Sequence, residues 1–86
     1  MNRESKKVSV EIFGEPYVIR GTSPEDYIRD LAKEVDRRMH EVSLRSPRLA
    51  VHQVATLVAL NLADELAKIR DEQKTVMDLL GEKEEE

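Results

Sequence analysis

Two histidines, one asparagine inside an apolar run and a group of arginines are the side chains of this 86-residue sequence with chemistry to offer. His40 and His52 are its only histidines, and neither has a second histidine or a cysteine at ligand spacing. Tetrahedral metal sites need three or four such ligands, so both read as surface or interface histidines, and no metal or cofactor is expected. No serine has a base and an orienting group arranged to activate it, and there is no glycine-rich phosphate loop. The Glu and Asp residues of the first helical segment are spaced as ordinary solvated charges. Catalysis is not expected. Arg37, Arg38, Arg45 and Arg48 are opposed in their own stretch only by Glu41, which makes the middle of the chain locally basic. Such a patch suits charge-steered encounter with an acidic protein, although cations near a helix C-terminus also serve the helix itself. Arg20 and Lys7, near the hairpin ends, are further candidates for the same surface. Asn61 lies in an apolar helical run, where a polar side chain can fix pairing register; a local hydrogen bond or a solvent-edge seat is the other reading.

These side chains need elements to position them. Val8, Val10 and Ile12 alternate with Ser9, Glu11 and Phe13, the period-two pattern of a half-buried strand whose outward face would be Ser9, Glu11 and Phe13. Gly14-Glu15-Pro16 reads as the turn and Tyr17-Val18-Ile19-Arg20 as a second short strand. After Gly21-Thr22, Ser23 is a suitable N-cap and Pro24 fits the first helical position. Ile28, Leu31, Ala32, Val35, Met39 and Val42 then recur at spacings of three and four, one apolar stripe on a helix ending near Arg45. Ser46-Pro47 breaks the chain. A second helix follows and runs toward Leu80, with Gly81 as its stop. The expected class is α+β, mainly α: a hairpin, then two helices, the second long and ending in a short coiled coil. Residues 1–7 read as a flexible N-terminus, 8–63 as a globular head, 64–80 as the coiled-coil segment and 81–86 as a disordered acidic tail.

The second helix decides the rest. Val51, Val58, Leu62, Ile69, Val76 and Leu80 fall on one stripe, flanked by Val54, Ala55, Ala59, Leu66 and Met77, while Leu57 and Leu60 point elsewhere. Spacing close to seven is what a left-handed two-helix seam requires. One amphipathic helix and one hairpin cannot cover both sides of the 49–63 segment, and each large aliphatic side chain left in water forfeits roughly 1.5–3 kcal/mol. Disulfides cannot compensate, because cysteine is absent. A symmetric dimer is the economical solution: an intertwined head in which the first half of helix two crosses its twin, with Val51, Val54, Val58, Asn61, Leu62, Leu66, Ile69, Val76 and Leu80 carrying self-association. A net charge of −4 with 37% charged residues argues against a general nucleic-acid binder. No apolar run approaches the roughly 20 residues that span a bilayer. Residues 1–7 carry no signal core, so the cytoplasm is the expected address, without membrane insertion.

Three stretches resemble the ZapA family of bacterial cell-division proteins: Val10-Glu11-Ile12-Phe13-Gly14-Glu15-Pro16-Tyr17; Ser23-Pro24-Glu25-Asp26-Tyr27-Ile28-Arg29-Asp30-Leu31-Ala32 followed by Val35-Asp36; and Leu60-Asn61-Leu62-Ala63-Asp64-Glu65-Leu66. The resemblance runs from about Val8 to about Arg70. It implies a dimeric head of two hairpin-and-helix units, with tails that can join dimers into antiparallel homotetramers. It also implies binding to filaments of the tubulin-like FtsZ at mid-cell, with bundling and Z-ring assembly as the outcome. The implied contact set draws on the basic patch and Arg20, together with Glu15, which stands where some members carry a basic residue. A competing reading is a dimeric ribbon-helix-helix DNA-binding regulator, which also runs strand, helix, helix and reads bases from a two-stranded ribbon. Glu11 on that ribbon would face phosphates, and the overall acidity opposes it too.

Overall fold

The computed structural model describes residues 6–81. The alternating segment forms β1 (Lys6–Ile12), and β2 (Glu15–Gly21) returns antiparallel to it with Val8 opposite Ile19, Val10 opposite Tyr17 and Ile12 opposite Glu15. The link is two residues long. Phe13 (φ 53°) and Gly14 (φ 79°) both take the left-handed conformation, which a type I′ hairpin turn requires because its twist matches the flanking strands. The turn is therefore Phe13-Gly14 and not Gly14-Glu15-Pro16, and Glu15 and Pro16 belong to the second strand. Pro16 is tolerated because it sits opposite Glu11. Pairs alternate along an antiparallel ladder, and with Ile12–Glu15 closing the turn, Glu11–Pro16 is a non-hydrogen-bonded pair. The missing N–H thus points outward, where an edge strand needs none.

Phe13 consequently leaves the outward face expected of it. It packs on the helical core, and its N–H donates to Asp36 Oδ1 at 2.7 Å. The His40 ring stands edge-on to it, 5.0 Å between centroids, while His40 Nδ1 lies 2.8 Å from the Asp36 carbonyl oxygen. This contact clamps the hairpin tip to the first helix and offsets the strain of a non-glycine residue in the turn. Lys6 and Lys7, expected in a flexible terminus, are the first residues of β1, while the acidic run 82–86 lies outside the described residues.

Helix α1 spans Glu25–Arg45 and α2 spans Val51–Leu79. Pro24, not Ser23, occupies the N-cap of α1, and its carbonyl accepts from Ile28 N–H at 3.1 Å; proline suits a place where no donor is needed. At the start of α2 the capping residue is Ala50, whose N–H donates to Gln53 Oε1 at 2.9 Å. Gly81, with φ 96°, follows the last turn as a C-terminal glycine should.

Two small cores result. Val8 and Val10 meet Ile28 and Ala32 between the sheet and the first half of α1. Met39, Val54 and Val58 meet between α1 and α2, with Ile12, Phe13, Val35, Val42, Leu49 and Leu62 around them. Beyond Glu65 no side chain of α1 reaches α2 in either cluster, and the last part of α2 runs on alone. The Cα radius of gyration is 17.8 Å, against about 12 Å for a compact domain of this length. The surface is 6891 Å², whereas a compact monomer of this mass exposes roughly 5,200 Å².

Arginine–glutamate pairs tie the two helices. Arg38 donates to Glu34 at 2.7 Å along α1 and reaches across to Glu65 at 2.6 and 2.8 Å. Arg37 pairs with Glu34 and Glu41, both at 2.6 Å. Hydrogen bonds from Arg37 and then Arg38 lower the Glu34 carboxyl from its ordinary 4.5 to about 2, and Arg38 lowers that of Glu65. A carboxyl whose folded pKa is depressed binds its proton more tightly in the unfolded chain. Its contribution is complete above pH 4.5 and is lost as the pH falls toward 2. Thermal melts should therefore fall through that window, and Glu34→Gln should flatten the slope there, melting below the parent at pH 7 and converging on it toward pH 2. A slope unchanged by Glu34→Gln would remove Glu34 from the acid response.

Candidate functional site

The inner face of the sheet is only half covered. Val8 and Val10 on β1 are buried under α1, but their cross-strand partners Ile19 and Tyr17 stay exposed. They open onto an apolar trough of about 610 Å³ whose other walls are Val35 and Met39 of α1 and Val51, His52 and Ala55 of α2. A second hollow of about 220 Å³, lined by Ile12, Ile19, Ile28, Leu31, Ala32 and Val35, continues it along α1. At about 100° per residue, Val51, Ala55, Val58 and Leu62 share one face of α2 with Leu66, Ile69, Val76 and Leu80. The trough and the projecting helix thus form a single apolar surface running the length of α2, about 43 Å for its 29 residues at 1.5 Å each. Leu66 is 48% exposed and Leu80 74%. The surface exceeds that of a compact chain by about 1,700 Å², about twice the roughly 800 Å² that one partner buries in a standard interface.

The nine positions expected to carry self-association divide on this surface. Val51, Leu66, Ile69, Val76 and Leu80 lie uncovered along it. Val54 and Val58 are buried against α1 within the subunit, with Leu62 packed on the edge of that core. Asn61 is exposed and lines a polar crevice with Arg38, Glu41, Val42, Arg45, Asp64 and Glu65, about a quarter-turn away from the stripe.

The basic patch is likewise redistributed. Arg37 and Arg38 are not opposed by Glu41 alone, because Glu34 and Glu65, outside the stretch read for charge balance, take up both guanidinium groups. Arg45 and Arg48 have no ion pair among the described residues and stand at the end of α1 and in the turn after it. Leu44 beside them is 82% exposed. Glu15 and Arg20 lie at opposite ends of β2. His40 belongs to the hairpin clamp, His52 lines the trough, and no cluster of three or more His, Asp or Glu able to hold a metal occurs among the described residues. No described helix is long and apolar enough to cross a membrane. The ribbon of a ribbon-helix-helix protein joins single strands from two chains, whereas here one chain supplies both strands.

A tight hairpin laid on a helix pair, with one helix running on under an uncovered apolar stripe, defines the class: a hairpin-headed helical protein without a catalytic constellation among its described residues. The sequence model described as cell division protein ZapA matches residues 8–86. A cell division protein ZapA from Geobacillus thermodenitrificans is 46% identical over 66 residues, 77% of this chain and 72% of the relative. Another from Geobacillus sp. (strain WCH70) is 31% identical over 84 residues, 98% of this chain and 97% of the relative. A solved ZapA mutant dimer from Geobacillus stearothermophilus superposes with a TM-score of 0.74 at 35% identity, covering 93% of each chain. The chain belongs to the ZapA family of cell-division proteins, and its role lies in cell division.

Proposed function

We propose that the chain is a non-enzymatic cross-linker of FtsZ filaments: a homodimer through its apolar trough, able to join further copies through the projecting helix, and working in the cytoplasm at the division site. The single observation that carries the self-association is the continuous trough and stripe, which one chain leaves in water at a cost of roughly 1.5–3 kcal/mol for each large aliphatic side chain against a total stability of about 5–15 kcal/mol. The likeness to a ZapA mutant dimer supports a two-chain state. In an intertwined head, the twin's α2 would cover Tyr17, Ile19, Val51 and Ala55. The filament contact falls to Arg45 and Arg48, the two arginines of the patch without an ion pair among the described residues, with the exposed Leu44 beside them as an apolar anchor. Glu15 and Arg20 would add at most a second, separate contact.

Sedimentation with GTP-polymerised FtsZ tests this reading. The parent chain should pellet with polymer and thicken it into bundles. Arg45→Glu with Arg48→Glu should weaken pelleting at least tenfold and leave the dimer intact, because neither side chain makes an ion pair among the described residues. Binding that survives both substitutions and ignores added salt would exclude the patch, since exposed charge attraction is screened within about 10 Å at 0.1 M salt. A chain that never pellets with polymer would exclude the function.

A further inference from the structure

The stripe beyond the head contains one residue that does not belong to its chemistry. Leu62, Leu66, Ile69, Val76 and Leu80 are spaced four, three, seven and four apart, and the heptad position missing between Ile69 and Val76 is Gln73. At about 100° per residue Gln73 stands some 20° from the middle of the stripe. It is exposed and borders, with Val76 and Met77, a shallow groove on the projecting helix. The apolar positions are disposed evenly around it. Leu66 and Leu80 lie seven residues to either side, and Ile69 and Met77 four to either side.

We infer that a second copy of this chain docks on the projecting helix in the register that sets Gln73 against Gln73, making this side chain the register-determining position of the tail. The inference rests on the self-association proposed above. With Gln73 aligned on itself, a parallel partner sets every apolar position against its own copy, and an antiparallel one sets Leu66 against Leu80 and Ile69 against Met77, with Val76 beside Arg70 at the edge. The two amides then face each other, and each carries a carbonyl acceptor and an NH₂ donor, so they satisfy one another reciprocally. A slip of one turn places Gln73 against Ile69 or Met77 and leaves both amides unpartnered in an apolar seam, which is how a lone polar residue at a core heptad position selects one register. Asn61, the polar residue that first suggests this role, is turned to the crevice beside Arg45, whereas Gln73 is on the stripe. Continuity supports a second copy as the occupant, because the same stripe leads without a break into the trough.

The sequence has no cysteine, so single cysteine variants of the full chain report on this directly. Gln73→Cys should form covalent dimers under mild oxidation at least tenfold faster than Asp71→Cys, which lies on the opposite side of the helix. Gln73→Leu should lower the concentration at which copies dissociate by about tenfold and spread the cross-links of Ile69→Cys and Val76→Cys over several registers. Equal rates for Gln73→Cys and Asp71→Cys, or an assembly indifferent to Gln73→Leu, would overturn the assignment. Sedimentation of the same samples separates the causes: dimers without a link at position 73 refute the register alone, while monomers throughout refute the self-association beneath it.

Discussion

Aspartate in place of Val54 leaves no folded head, while aspartate in place of Leu44 melts as the parent does. Both substitutions put the same charge on a helix for a branched aliphatic residue, and their sites differ in burial. Val54 is 1% exposed, and with Met39 and Val58 it forms the centre of the cluster that holds α1, α2 and the hairpin tip together. Losing its burial costs roughly 1.5–3 kcal/mol, and an unpaired carboxylate at the same point adds several more or must remain protonated. The cluster is made of apolar side chains, and Arg38 is already held by Glu34 and Glu65, so no partner awaits the new charge. The total approaches the whole stability of a small domain, and the far-ultraviolet circular dichroism signal should collapse at room temperature. A cooperative melt within about 5 °C of the parent would mean that this cluster does not hold the head together.

The helices and their end points were legible because their signals are local. Apolar spacing of three and four, Ser46-Pro47 and Gly81 each act within a turn or two, and α1 and α2 begin and end close to where those residues put them. The hairpin was legible as an alternation, but its turn was misplaced by one residue. Gly14-Glu15-Pro16 contains two residues that usually punctuate, and nothing in the sequence marks Phe13 as left-handed. Only the Asp36 carboxylate, 23 residues away, makes that conformation acceptable by accepting the Phe13 N–H. The same distance effect explains the arginines. Counting charges along residues 37–48 finds Glu41, whereas Glu65 enters only when α2 folds back beside α1 and places its carboxylate 2.6 Å from Arg38. Charge balance in a folded chain is a property of surfaces, and a linear window misses partners that topology supplies.

The same limit applied to the assembly residues. Periodicity placed Val54 and Val58 on the face of α2 that a twin would cover, yet it cannot tell which of two apolar neighbours gets there first. Here α1 does, because the short turn after Arg45 brings α2 back against Met39 and Val42. What remains for a second chain is the adjoining strip from Val51 and Ala55 to Leu80, along with Tyr17 and Ile19, whose place on the inner face follows only from the strand register.

That division makes Val51→Glu combined with Ala55→Glu the most informative disruption of assembly. Val51 is 54% exposed in the subunit, Ala55 is exposed as well, and both line the trough. In a single chain, new carboxylates at these places reach water directly, and surface changes of this kind stay within about 0.5 kcal/mol. Under a twin helix they would lie against Tyr17, Ile19 and Met39, with no lysine or arginine among the lining residues and only His52 able to carry a positive charge, and an unpaired charge in such a setting costs several kcal/mol. A two-fold interface receives each substitution twice. Even about 3 kcal/mol in total weakens a dissociation constant more than a hundredfold, so the double variant should sediment as one chain at concentrations where the parent sediments as two. Its helix content should fall toward the C-terminal end of α2 and not in the head, because residues 66–79 have no support within their own subunit and a helix of that length is marginal alone. If parent and variant share one mass and one melting curve, the trough is open to solvent in the working protein, and the twin chain is not what covers it.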